Sequence, residues 1–171
     1  MLPPGHIAGG FLAAKLASVW IPELSGVKYL CLASLFGFIP DLDFFYAFAK
    51  SHKLTIDEGI NHRRFVTHAP LVYLVVFILW FWLFPTNRLI AITFILGTWS
   101  HFILDSVQGD GIPWLYPFRN KLYSLFRIYE FDYSEPKFFK HWWSFTKQYL
   151  KFPVATLEIA IIITAITFIF I

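Results

Sequence analysis

The chain has 171 residues, of which 57% are hydrophobic, 21% aromatic and only 15% charged, with a mean hydropathy of +0.59. A core of this size cannot hide that much apolar surface, so an ordinary small soluble domain is excluded, as are disordered, collagen-like and disulfide-stapled chains, the last because Cys31 stands alone. The net charge of +3 and pI near 9.0 could suggest nucleic acid, but in so apolar a chain basic residues report membrane orientation, and no nucleic-acid partner is expected.

Five apolar segments follow in order, which predicts an all-α, polytopic membrane helical bundle of about five membrane-embedded helices forming a single domain over residues 1–171. Gly5 to Trp20 and Val27 to Ile39 are short, contain Lys15 and small residues, and repeat those small residues four apart (Gly9/Ala13, Gly10/Ala14, Ala33/Gly37), a pattern that lets helices approach closely. No positive charge precedes the first segment beyond the amino group and Lys15 interrupts it, so it does not read as a cleavable signal. Phe65 to Phe84 meets the span requirement of roughly 20 residues and stops at Pro85; Thr67 is the expected N-cap of its helix. Arg88 to Val107 is nearly as long but carries His101 and Asp105. Phe152 to Ile171 closes the chain as the C-terminal span.

Between the last two spans lies an insertion, residues 108–151. Its second half carries a helix start at Ser134, Glu135 and Pro136, then Phe138, Trp142, Phe145 and Tyr149 at helical spacing. Lys137, Lys140, Ser144, Lys147 and Lys151 form the opposite stripe, which predicts a basic amphipathic helix lying at the membrane surface. The stretch LYSLFRIYEFDY fits strand or helix equally. Alternating the spans places eleven of the fourteen Lys and Arg residues on one side, so the positive-inside rule puts the N-terminus and both long loops in the cytoplasm and the C-terminus outside.

Against this background the polar residues in or beside spans stand out: His6, Asp41, Asp43, His62, His68, His101 and Asp105. By the orientation just derived all lie at the cytoplasmic end. His101 and Asp105 are spaced i, i+4 and share a helix face, while Asp41 and Asp43 follow Pro40 and point the same way if that segment is extended. Imidazoles with carboxylates suit a divalent transition metal, Zn²⁺ before Mn²⁺ or Fe²⁺, as one or two ions. Each residue alone has a plainer reading: a capping His, a turn Asp, or a structural ion pair of Asp105 with Arg63 or Arg64. Convergence from four segments favours the metal site. His52 and His141 are expected to be solvated.

The ordered set PGHIAGG (residues 4–10), GFIPDLDF (37–44), NHRRFVTHAP (61–70) and SHFILDSVQGDG (100–111), with PWLYPF after it, resembles the bacterial YdjM-like, LexA-regulated inner-membrane metal-dependent hydrolases over about residues 5–118. The resemblance implies a membrane hydrolase whose metal ligands are His6, Asp41, His62, His68, His101 and Asp105, with Asp43 a further candidate. Arg64 and Ala69 depart from the family pattern, which usually has a small residue and a serine there.

The function expected is a metal-dependent hydrolase at the cytoplasmic membrane face, acting on a phosphoester, with a phospholipid or another membrane-associated molecule as substrate. Arg63 is the expected phosphate-holding group, because a planar guanidinium matches phosphate oxygens bidentately, and Asp43 the expected base or bridging ligand. The rival is a non-catalytic transport, structural or regulatory protein that uses the same polar cluster to bind an ion.

Overall fold

A computed structural model describes residues 1–43, 46, 62–107, 109, 111–126 and 138–170, the side chains of 62, 138, 139, 141, 142 and 145 excepted. Six α-helices run through these residues: α1 (Pro3–Ala17), α2 (Val27–Phe38), α3 (Pro70–Leu83), α4 (Arg88–Val107), α5 (Phe138–Tyr149) and α6 (Pro153–Ile169). Proline opens α1, α3 and α6, where its fixed φ suits the first turn and its missing N–H costs nothing. Short 3₁₀ turns at Pro22–Ser25, Ile39–Asp41, His62–Arg64, Val66–His68 and Pro85–Asn87 join them. The fold class is all-α as expected, with an isolated β-bridge between Ile112 and Tyr123.

Helix lengths do not bear out about five membrane-crossing helices. Pro85–Val107, which joins a 3₁₀ turn to α4, is the one stretch among the described residues long and apolar enough to cross a membrane, at 23 residues. Helices α1, α2, α3 and α6 hold 15, 12, 14 and 17 residues. At a rise of about 1.5 Å per residue these reach roughly 18–26 Å, against a hydrocarbon core of about 30 Å. Hydropathy located the segments, and Val27–Phe38 and Arg88–Val107 form almost as placed, but α3 starts only at Pro70, well inside Phe65–Phe84.

Helix α4 is the hub. It packs on α1, α2 and α3, α1 also packs on α2, and α6 lies against α1. The small residues do what their spacing predicts. A Cβ added to Gly10 would collide with the Ala33 carbonyl, and one on Gly37 would lie 2.5 Å from the carbonyl oxygen of His6. Gly97 of α4, which the pattern did not single out, completes the three-helix contact, since a Cβ there would lie 2.5 Å from Ala33 O and 2.7 Å from Phe36 Cβ. Outward, α3 exposes Val75, Val76, Ile78, Leu79, Trp82 and Leu83, and α6 exposes Ile159, Ile163, Ile166 and Ile169. Faces this apolar and continuous suit lipid.

The insertion is partly described. After α4 the chain turns through Gly109 and Gly111, both at positive φ (91° and 77°), and Ile112 exchanges backbone hydrogen bonds with Tyr123. The amides of Leu125 and Phe126 then donate to the carbonyls of Ser106 and Val107, satisfying the C-terminal end of α4. Helix α5 forms where the amphipathic pattern placed it, with Lys140, Lys147 and Lys151 exposed and Tyr149 buried. The expected helix start at Ser134 to Pro136, Lys137, and the second half of LYSLFRIYEFDY lie outside the described residues, as does His52.

Candidate metal centre

The centre forms where α1, α4 and the turns before and after the first loop meet. Helix α1 contributes His6, one turn from its start. Helix α4 contributes His101 and Asp105, which share a face as their spacing requires, and the 3₁₀ turn after α2 contributes Asp41. His6 and His101 are wholly buried, Asp105 is 1% exposed, and one ligand atom from each of the four residues lies within 4.8 Å of all the others. His68, in the 3₁₀ turn before α3 and also wholly buried, adds its Nε2 at 3.7 Å from Asp41 Oδ1, 3.9 Å from Asp105 Oδ2 and 3.4 Å from His101 Nε2.

Hydrogen bonds behind the ring determine what faces inward. His101 Nδ1 lies 2.8 Å from the Gly37 carbonyl oxygen and therefore donates to it, leaving Nε2 with a lone pair toward the centre. His68 Nδ1 lies 2.9 Å from Asp43 Oδ2, which orients that ring in the same sense. Two imidazole nitrogens 3.4 Å apart with their other nitrogens engaged need a proton or a metal cation between them. Two ligands on one tetrahedral ion with bonds of about 2.0–2.1 Å stand about 3.3 Å apart, so the spacing fits a shared metal.

Other groups are left without partners in a way that a metal would remedy. Both ring nitrogens of His6 and Oδ2 of Asp105 are buried with no hydrogen-bond partner among the described residues. His6 Nε2 is 3.2 Å from Asp105 Oδ1 and 3.9 Å from Asp41 Oδ2, yet neither approach has hydrogen-bond alignment. Leaving such groups unsatisfied costs about 1–3 kcal/mol each, and coordination would remove the penalty at His6 Nε2 and Asp105 Oδ2. The His6 and His101 rings stack with centroids 3.9 Å apart, so the two nitrogens are presented side by side. Asp105 Oδ1 is already occupied by the Met1 ammonium at 2.8 Å and Arg63 Nη2 at 3.1 Å, and Oδ2 is the atom left for the centre, 3.6 Å from His101 Nε2.

Of the residues expected in the site, His6, Asp41, His68, His101 and Asp105 come together. The side chain of His62 lies outside the description, although its backbone opens the His62–Arg64 turn. Asp43 stands behind His68: it accepts from the Thr67 hydroxyl and from His68 Nδ1. The expected extended geometry, which would aim Asp41 and Asp43 the same way, is not what forms, because Ile39–Asp41 is a 3₁₀ turn that passes into helix at Leu42 and Asp43. In helical backbone residues two apart point to different sides. Thr67 likewise is not the N-cap of α3; that position is Ala69, with no side-chain cap. Arg63 pairs with Asp105 and its Nη1 comes close to Gly109, where a Cβ would stand 2.9 Å away; Arg64 is exposed.

One buried carboxylate went unnoticed in the sequence. Glu158 of α6 is 4% exposed and accepts from the amides of Gly5 (3.1 Å) and Leu2 (3.2 Å) and from the Tyr149 hydroxyl. The signal was present, a lone acid in an otherwise apolar helix of 17 residues.

These observations define an all-helical protein with a buried His/Asp cluster able to hold a metal ion at the junction of its helices. A family model described as "YdjM inner membrane protein" matches residues 1–171, the whole chain, and the protein belongs to that family. The match extends past the 5–118 core through the insertion and α6. Comparison with curated proteins and with solved structures returned no match.

Proposed function

We propose that this protein is a membrane-bound, metal-dependent hydrolase whose centre is built from His6, Asp41, His101 and Asp105, with His68 as a fifth donor. The observation that carries the reading is the convergence of three imidazole Nε2 atoms and two carboxylates in one buried space, two of the rings being fixed from behind by Gly37 O and Asp43. Structural support of this kind behind metal-binding histidines sets their tautomer and basicity. A divalent transition metal held there, zinc before manganese or iron, supplies a Lewis acid that acidifies water and polarises the bond under attack. Asp43 orients His68. Arg63, next to Asp105, offers a guanidinium for phosphate oxygens, which favours a phosphoester.

The substrate class proposed is a phospholipid or another membrane-associated phosphoester, because the site belongs to an inner membrane protein whose α3 and α6 present continuous apolar faces. The chain crosses the membrane several times, the shorter helices together with their flanking 3₁₀ turns, and the eleven basic residues on one side keep the N-terminus and the centre cytoplasmic and the C-terminus outside. Helix α5, with Lys140 and Lys147 exposed beside Trp143, lies along that surface.

Metal content of the purified protein, followed by a screen of phosphoesters including phospholipids, tests the reading. About one or two transition-metal ions per chain are expected, with turnover of at least one substrate that Asp41→Ala abolishes. Metal-free wild-type protein overturns it. Bound metal without turnover across the panel favours the non-catalytic ion-binding alternative.

A further inference from the structure

Helix α1 lacks an N-cap of its own. Leu2 holds that position without a side-chain bond, and Pro3 and Pro4 have no amide hydrogen to offer. Besides the bonds from the Gly5 and His6 amides to the Leu2 carbonyl, its first turn is held by a residue from the far end of the chain. Glu158 Oε1 accepts from the Gly5 amide and Oε2 from the Leu2 amide, while the Tyr149 hydroxyl from α5 donates to the same Oε2. A carboxylate is favoured at a helix N-terminus, where the unsatisfied amides and the dipole are both positive. The approach is so close that a Cβ on Gly5 would stand 2.7 Å from Glu158 Cγ and Oε1, so glycine next to His6 is what lets the carboxylate in. Around this bond Tyr149, Val154 and Ala155 form a buried cluster against which Met1, Leu2, Val107 and Phe152 pack.

Gly5 is the neighbour of His6, and His6 is the donor with no hydrogen bond behind its ring: Gly37 O fixes His101 and Asp43 fixes His68, while His6 Nδ1 is buried without a partner among the described residues. Its ring is therefore placed by backbone. We propose that Glu158, braced by Tyr149, is a positioning residue for the metal centre, which clamps the first turn of α1 and thereby fixes where His6 presents Nε2. The proposal rests on the reading of the cluster as a metal site. An acid amid the apolar residues of α6 is costly unless its hydrogen bonds satisfy it, and two of the three it accepts, from Leu2 and Gly5, come from the turn that carries His6.

Co²⁺ titration of the full chain in detergent, followed by its visible absorption, tests this. Glu158→Ala is expected to weaken Co²⁺ binding about 10- to 100-fold, the range for loss of a supporting residue. In a His6→Ala background the same substitution is expected to change affinity less than about threefold, because residues that act as a unit are non-additive. Unchanged affinity in Glu158→Ala, or an equal loss with and without His6, overturns the proposal while leaving the metal centre standing. Wild-type protein that binds no Co²⁺ overturns the metal reading itself. Should Glu158→Ala fail to accumulate, Tyr149→Phe removes one hydroxyl from the same clamp; a loss of about threefold to tenfold is expected, and unchanged affinity there overturns the proposal as well.

Discussion

His101 and Gly37 are joined by a hydrogen bond of 2.8 Å from the imidazole Nδ1 to the backbone carbonyl, across the closest approach of α2 and α4. The helices come that close because Gly97 of α4 has no side chain to hold them apart: a Cβ there would lie 2.5 Å from Ala33 O and 3.0 Å from Gly37 N. Packing and metal chemistry are thus the same contact, and substitutions on either side of it should be felt on the other.

Gly37→Ala places a methyl 2.5 Å from the carbonyl oxygen of His6, a rigid backbone atom that cannot swing away. Destabilisation of about 1–3 kcal/mol is expected from overpacking, together with weaker metal binding, because α1 and α2 must separate and both His6 and His101 depend on their spacing. Thermal unfolding in detergent and metal titration read the two effects. A variant as stable and as tight-binding as wild type would contradict the close approach.

Asp43→Asn should leave the fold intact and reduce metal affinity about tenfold, since it weakens the bond that orients His68 without removing a donor to the centre. His68→Ala should cost at least as much. Equilibrium dialysis with zinc gives both values, and an Asp43→Asn loss larger than that of His68→Ala would mean that Asp43 itself ligates.

His101→Ala deletes a donor that faces Asp41, Asp105 and His68 at 3.4–3.8 Å. Metal affinity is expected to fall by more than the ~100-fold upper range for supporting residues. Metal analysis after purification and buffer exchange should find no ion retained by this variant.

Acid should strip the metal through the imidazoles. Protons compete with the metal for the ring nitrogens, and affinity therefore falls as the pH is lowered. Isothermal titration in buffers of different ionisation enthalpy counts the protons released on binding. An affinity that stays constant as the pH is lowered until the protein unfolds would exclude imidazole ligation.

The donors were legible in the sequence for a physical reason: in a chain with so few polar residues near its apolar segments, each one is expensive, and His101 and Asp105 four apart fix their own geometry. What lay behind the donors was not legible. Asp43 took a different role because the chain after Pro40 stays helical, a backbone choice that Asp-X-Asp does not dictate, and Thr67 because it lies inside the Val66–His68 turn, which leaves Ala69 at the N-cap. Gly37 O acts through backbone and has no residue signature. The apolar segments were placed correctly, but hydropathy sums composition and does not register where a helix begins, so Phe65–Phe84 was read longer than the helix that starts at Pro70.

The clamp on α1 also sets an order of assembly. The segment bearing His6 is synthesised early, whereas Glu158 emerges more than 150 residues later. Until α6 has been made and docked, the opening amides of α1 have only the Leu2 carbonyl to bond to. The finished form of that turn therefore waits on the last helix.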